Sequence, residues 1–119
     1  MYHESPIKTM VASAALGKYL RVTFGSAGTA GQMILAGAAV EEIGVTENRC
    51  FAALEDIPVR LRTAQGTGRY VAAAPIAIGA VVRRAAAGKV TTGGTDPIIG
   101  TAMEAATADN DIIEVLRLN

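Results

Sequence analysis

Two segments alternate apolar and polar side chains with the period of a strand. In residues 18–24 (KYLRVTF), Leu20, Val22 and Phe24 fall on one face and Arg21 and Thr23 on the other. In residues 57–62 (IPVRLR), Ile57, Val59 and Leu61 point inward and Arg60 and Arg62 outward; Pro58, which cannot donate to a ladder, places that strand at an edge or marks its start. Residues 98–119 read as two further strands and their connection. Ile98, Ile99 and Gly100 open the segment, Asp109-Asn110-Asp111 supplies turn chemistry, and residues 112–118 return to strand-forming types. With Leu118 followed only by Asn119, the last strand is expected to pair inside a sheet and not to form a loose tail.

The remaining chain divides around these segments. Residues 25–31 are a glycine-rich turn before a short apolar run at 32–35, and residues 38–43 read as loop or short helix between Gly37 and Gly44. Residues 63–68 form a turn, 69–74 a strand, 75–79 a turn and 80–84 a short strand; Gly88 marks another turn before Val90, and residues 91–97 are a loop. Residues 1–9 (MYHESPIKT) contain Pro6 and follow neither period, so they read as an irregular arm: either Tyr2, His3 and Ile7 order against a partner, or the segment is a frayed terminus with His3 an ordinary surface residue. The expected organisation is an arm over residues 1–17 and one β-rich domain over 18–119. That domain is a small β-barrel or β-sandwich.

A worn internal repeat is visible. Ile43-Gly44 recurs as Ile99-Gly100, and Ile57 and Val59 recur as Ile113 and Val115 at the same offset. Matching residues 20–35 with 70–83 then requires an insertion in the second unit before Ile99, at the loop around Gly93 to Pro97. Identities this sparse also arise from Ala/Gly bias.

Composition narrows the function. A chain of 119 residues suits one domain and buries roughly two-thirds of its unfolded surface. Half the residues are hydrophobic but only 4% are aromatic, so each side chain buries little area and neighbouring subunits are expected to complete the core. Eleven basic residues balance eleven acidic ones, which removes the electrostatic footprint for nucleic acid or an anionic membrane. The lone Cys50 excludes an intrachain disulfide and reads as a buried small hydrophobe. Residues 10–16 are too short an apolar run to cross a bilayer or serve as a secretory segment, so synthesis in the cytoplasm is expected.

The chemical motifs fail on spacing. Gly88-Lys89 lacks the earlier glycine and the following Ser or Thr of a phosphate loop, and Gly25, Gly28 and Gly31 do not have dinucleotide-binding spacing. Asp109 and Asp111 begin like a calcium loop, but the remaining oxygen ligands do not follow. Glu104 beside Met103 stands where a carrier hairpin would need a lysine. Glu41 and Glu42 point apart on a strand and default to a solvated face. No catalytic residue, cofactor or metal site is expected, and the chain is not expected to be an enzyme.

Three stretches carry a family resemblance: residues 81–91 (VVRRAAAGKVT), 97–106 (PIIGTAMEAA) and 108–116 (ADNDIIEVL). Together they resemble the C-terminal half of the capsid decoration, or cement, proteins of tailed bacteriophages. The 45–61 passage departs from that form by carrying Glu47-Asn48-Arg49-Cys50-Phe51 where a plainer strand and turn would stand. The resemblance implies a non-enzymatic, β-rich virion protein on the capsid exterior, with the major capsid protein and its own copies, as a homotrimer, for partners. Its site would be the outside of an expanded head at three-fold and quasi-three-fold positions, where it stabilises the shell against DNA pressure. Tyr2, His3 and Ile7 are the capsid-contact candidates. A virion fibre or appendage subunit and a small ligand-binding or carrier module are the alternatives.

Overall fold

The structure, a computed structural model, describes residues 7–25, 32–38, 40–62 and 66–117. Ten strands follow in order: β1 (Ile7–Ala12), β2 (Arg21–Phe24), β3 (Gln32–Leu35), β4 (Gly44–Thr46), β5 (Asp56–Leu61), β6 (Thr67–Val71), β7 (Val81–Arg84), β8 (Val90–Thr91), β9 (Ile98–Ala102) and β10 (Ile112–Arg117). A short 3-10 turn at Ala86–Gly88 is the only helical piece among the described residues. The fold is mainly β, as the alternation predicts.

The strands fall into two sets of five. In the first, the order β1-β3-β2-β4-β5 closes on itself because β5 pairs back with β1. In the second, β6-β10-β9-β7-β8 is an open sheet. The two sets have the same topology, since β6, β7, β8, β9 and β10 occupy the places of β1, β2, β3, β4 and β5. The difference lies at one seam: the first set has a parallel β1–β3 ladder, whereas the second has only the single bridge Ala72↔Val90. Closure is thus confined to the first half, and the molecule as a whole is a two-sheet arrangement.

Hydrogen bonds confirm the duplication residue by residue. The bridge Leu16↔Cys50 has its counterpart in Ile76↔Ala106. Leu54 N donates to Ala12 O at 2.8 Å, and Asn110 N donates to Ala72 O at 2.8 Å. Tyr19 N donates to Thr46 O, and Gly79 N to Ala102 O. The left-handed positions recur as well, Tyr19 with Gly79 and Leu54 with Asn110.

The offset read from Gly44 and Gly100 therefore holds, but the register of the first strands does not. Val22 corresponds to Val82, because each faces its unit's glycine, Gly44 or Gly100. The partner of β2 is thus β7, not the strand at 69–74, and the second unit is the shorter of the two between Phe24/Arg84 and Met33/Val90. No insertion at 93–97 is needed.

Each unit has its own small core at matching positions. Ala12, Leu16, Val22, Met33, Cys50, Ile57 and Val59 pack together in the first. Ala72, Ile76, Val82, Val90, Ala106, Ile113 and Val115 occupy the same places in the second, joined by Tyr70 and Ile99. Each buried Val, Ile or Met contributes about 1.5–3 kcal/mol. Gly44 and Gly100 admit close strand contact: a Cβ would lie 2.2 Å from Arg60 O at the first and 1.9 Å from Leu116 O at the second.

Several expectations differ from this architecture. Ile7–Ala12, placed in an irregular arm, is a strand paired to both β5 and β3; its inward positions, Met10 and Ala12, alternate too weakly in hydropathy to announce it. Pro58 is not on an edge strand, since β5 lies between β1 and β4. Its carbonyl accepts from Glu47 N at 2.9 Å, one residue past the end of β4, so its missing N–H falls where that ladder has already stopped. Phe24 ends β2 outside the core, and Arg21 and Glu42 are buried rather than solvated.

Candidate interaction surfaces

The buried charges form the joint between the units. Arg21 on β2 is 0% exposed and Glu42 4%. The Arg21 guanidinium donates to carbonyls of its own unit at Gly37 (3.2 Å) and Val40 (3.4 Å), and to those of the second unit at Lys89 (3.1 Å) and Ala85. Glu42 accepts from Arg84 Nε at 2.7 Å and lies 3.6 Å from Arg21 Nη1. Burial pulls the Arg21 guanidinium below its ordinary value, and the Glu42 charge acts against that. Gly88 lets the second unit approach: its φ is +74°, and a Cβ there would lie 2.8 Å from Arg21 O. Val45, on the outer side of β4, completes the joint by packing into the second core.

Several other ionisable groups hold turns and surface pairs. The Asp111 carboxylate accepts from Thr107 N (2.8 Å), the Thr107 hydroxyl (2.9 Å) and Ala108 N (3.2 Å), which holds it below the usual carboxylate range. It organises the turn before β10. Asp109 pairs with Lys89 Nζ at 3.0 Å, Glu41 pairs with Arg62, and Glu104 accepts from Glu114 N at 2.9 Å. Cys50 is buried, with its thiol directed to Ala14 O. Among the described residues no cluster of His, Cys, Asp and Glu suits a metal ion, and no helix is long and apolar enough to cross a membrane.

What the molecule displays instead is apolar surface. Phe51, 75% exposed, and Leu54 stand on the β4–β5 loop, with the Arg49 guanidinium 5.9 Å from the Phe51 ring centroid. Val81, Ile98 and Leu116 line a groove of about 310 Å³ on the outer face of the second sheet, beside Thr101 and Arg117. A more polar groove of about 500 Å³ runs between the units past Tyr19, Arg60 and Arg69. Of the contact candidates read from sequence, Tyr2 and His3 lie outside the described residues, while Ile7 opens β1 opposite Arg60 with its side chain partly exposed. Alternation reads Val81, Ile98 and Leu116 simply as apolar strand residues. The signal for Phe51 lies in the unexpected Glu47-Asn48-Arg49-Cys50-Phe51 run; Leu54 has none in the sequence.

The chain is thus a β scaffold whose buried and paired charged groups hold turns and a joint, and whose outer surfaces carry exposed apolar side chains. The family described as phage cement protein matches residues 14–117, and the chain belongs to that family. It is accordingly a phage capsid-associated, virion structural protein. Comparison with curated proteins gives no match. Among solved structures, the N base of the head fiber gp8.5 of bacteriophage phi29 has a similar fold, with a TM-score of 0.75 at 12% identity over 94% of this chain and 92% of that one.

Proposed function

We propose that this protein binds the outer surface of the expanded phage head as a homotrimer at three-fold and quasi-three-fold sites, and stabilises the shell against internal DNA pressure. The observation that carries this reading is membership of the cement family over nearly the whole folded chain. A trimer gripping three equivalent sites converts modest contacts into firm attachment, because avidity exceeds single-site affinity by about 10² to 10⁴. Its capsid contacts are the N-terminal residues Tyr2, His3 and Ile7, assisted by the exposed Phe51 and Leu54. The balance of charge keeps repulsion between neighbouring copies low on a crowded shell.

Co-sedimentation with expanded, undecorated heads tests the reading, with unexpanded proheads as control. Saturable binding to expanded heads alone is the expected result; binding to neither, by a folded protein, would reject it. Removing residues 1–6 spares β1, so it should weaken head binding without lowering the melting temperature. The likeness to a head-fiber base supports a second reading, in which the same fold seats an appendage on the head. An additional virion protein retained on decorated heads only when this chain is present would favour it.

A further inference from the structure

The duplication supplies a way to ask what covers each outer face. In the first unit, the outer face carries Arg21, Glu42 and Val45, and the second unit lies on it. The corresponding positions of the second unit are Val81, Ile98 and Thr101, by the shared register about Gly44 and Gly100. Here no other described residue covers them: Val81 is 46% and Ile98 43% exposed, and Leu116 beside them is 48% exposed. The element that reaches across the joint is equally informative. Arg84, which ends β7 and binds Glu42, corresponds to Phe24, which ends β2 and is 49% exposed.

The substitutions between the units are complementary. Where the intrachain joint sets a cation, Arg84, against an anion, Glu42, the other copies of those positions set an aromatic, Phe24, against an aliphatic, Ile98. Arg21 is likewise matched by Val81. A charged trio that is buried together has become an apolar trio that is exposed apart, with both halves of one contact displayed on opposite units of the same chain.

We infer that a second copy of this chain docks its first unit on the second unit's outer face, placing Phe24 in the Val81–Ile98–Leu116 groove and repeating between chains the packing that joins the units within one. The occupant is another copy because Phe24, at the position that Arg84 holds in the intrachain joint, stands exposed on the chain itself. A buried Phe contributes about 150–250 Å² of contact and is a natural anchor. The interface is heterologous, so it joins chains head to tail and closes into a ring when the rotation per copy permits. This deepens the self-association part of the proposed function and does not depend on its capsid part.

Mixed-cysteine cross-linking tests the geometry. Phe24→Cys and Ile98→Cys are prepared as separate proteins of different tag mass, each retaining the buried Cys50, and oxidised alone and together. The expected product is a covalent dimer in the mixture and none in either alone. Homodimers in the single preparations, or none in the mixture, would overturn the head-to-tail contact. In parallel, light scattering of the purified chain should give a mass above 12.2 kDa, with association at least ten-fold weaker in both Phe24→Ser and Leu116→Glu, whose exposed sites leave the melt unchanged. A single-chain mass for the unsubstituted protein, or association untouched by both substitutions, rejects the inference. Head co-sedimentation on the same preparations separates the two ideas: a chain that binds heads without self-associating sinks this contact and leaves the cement reading standing.

Discussion

Replacing Glu42 by Gln removes one negative charge from the joint while keeping its shape. Two guanidinium groups then remain, Arg21 with no exposed side-chain surface and Arg84 with 13%. Breaking a buried ion pair from one side costs about 3–5 kcal/mol, because the charge left behind stays buried without a counter-ion. With an unfolding entropy of about 2.1 cal/mol/K per residue, this chain has roughly 0.25 kcal/mol/K in total, so the expected fall in melting temperature is about 12–20 °C. Differential scanning calorimetry on Glu42→Gln measures it, with Glu41→Gln as control. Glu41 is 58% exposed and pairs with the equally superficial Arg62, so its loss should cost no more than about 0.5 kcal/mol. Equal melting temperatures for the two variants would refute the assignment of Glu42 as the charge on which the joint depends.

Gly100→Ala should destabilise by about 1–3 kcal/mol in urea titration by forcing β9 from β10, whereas Gly93→Ala, with open space around it, should be near neutral. Val59→Asp buries an unpaired charge in the first core and should cost about 4 kcal/mol or more; an unchanged melt would show the phase of β5 to be wrong. Burial pushes the Tyr70 phenol up to about 12 from 10.0. The unfolded chain therefore gives up this proton first, so the contribution is whole below pH 10 and is lost as pH rises through about 12. It amounts to roughly 2–3 kcal/mol over that window, and Tyr70→Phe should flatten the alkaline limb of stability measured from pH 9 to 12.

The strands at 18–24 and 57–62 were legible because large apolar residues alternate with polar ones, and those within 98–119 because β-branched residues cluster on either side of the Asp109-Asn110-Asp111 turn. β1 was not, since its deepest position is only Ala12 and its ladder partners lie about twenty to fifty residues away. Glu42 illustrates a different limit. Nothing near it in sequence distinguishes it from Glu41, yet Arg21 and Arg84 take one of the two into the interior and leave the other to the surface. The outer-face residues Val81, Ile98 and Leu116 are apolar in a strand, which alternation reads as core; only the placement of the second unit on the first shows that one such face is covered and the other open. The duplication was half readable, because Gly44 and Gly100 keep their identity under backbone contact while the earlier strands share only common small or β-branched residues, Val11/Val71, Ala12/Ala72 and Val22/Val82.

Every strand ladder among the described residues stays within one unit, and the widest registers, Ile7↔Arg60 and Thr67↔Leu116, span about half the chain. Folding is therefore two shorter searches in place of one long one, which favours speed in a topology otherwise rich in slow, non-local pairing. The Arg21–Glu42–Arg84 joint draws on both searches and can form only when each has finished. Perturbing it should leave the refolding rate nearly unchanged and accelerate unfolding, so the persistence time of the native chain, more than its rate of arrival, is set at that joint.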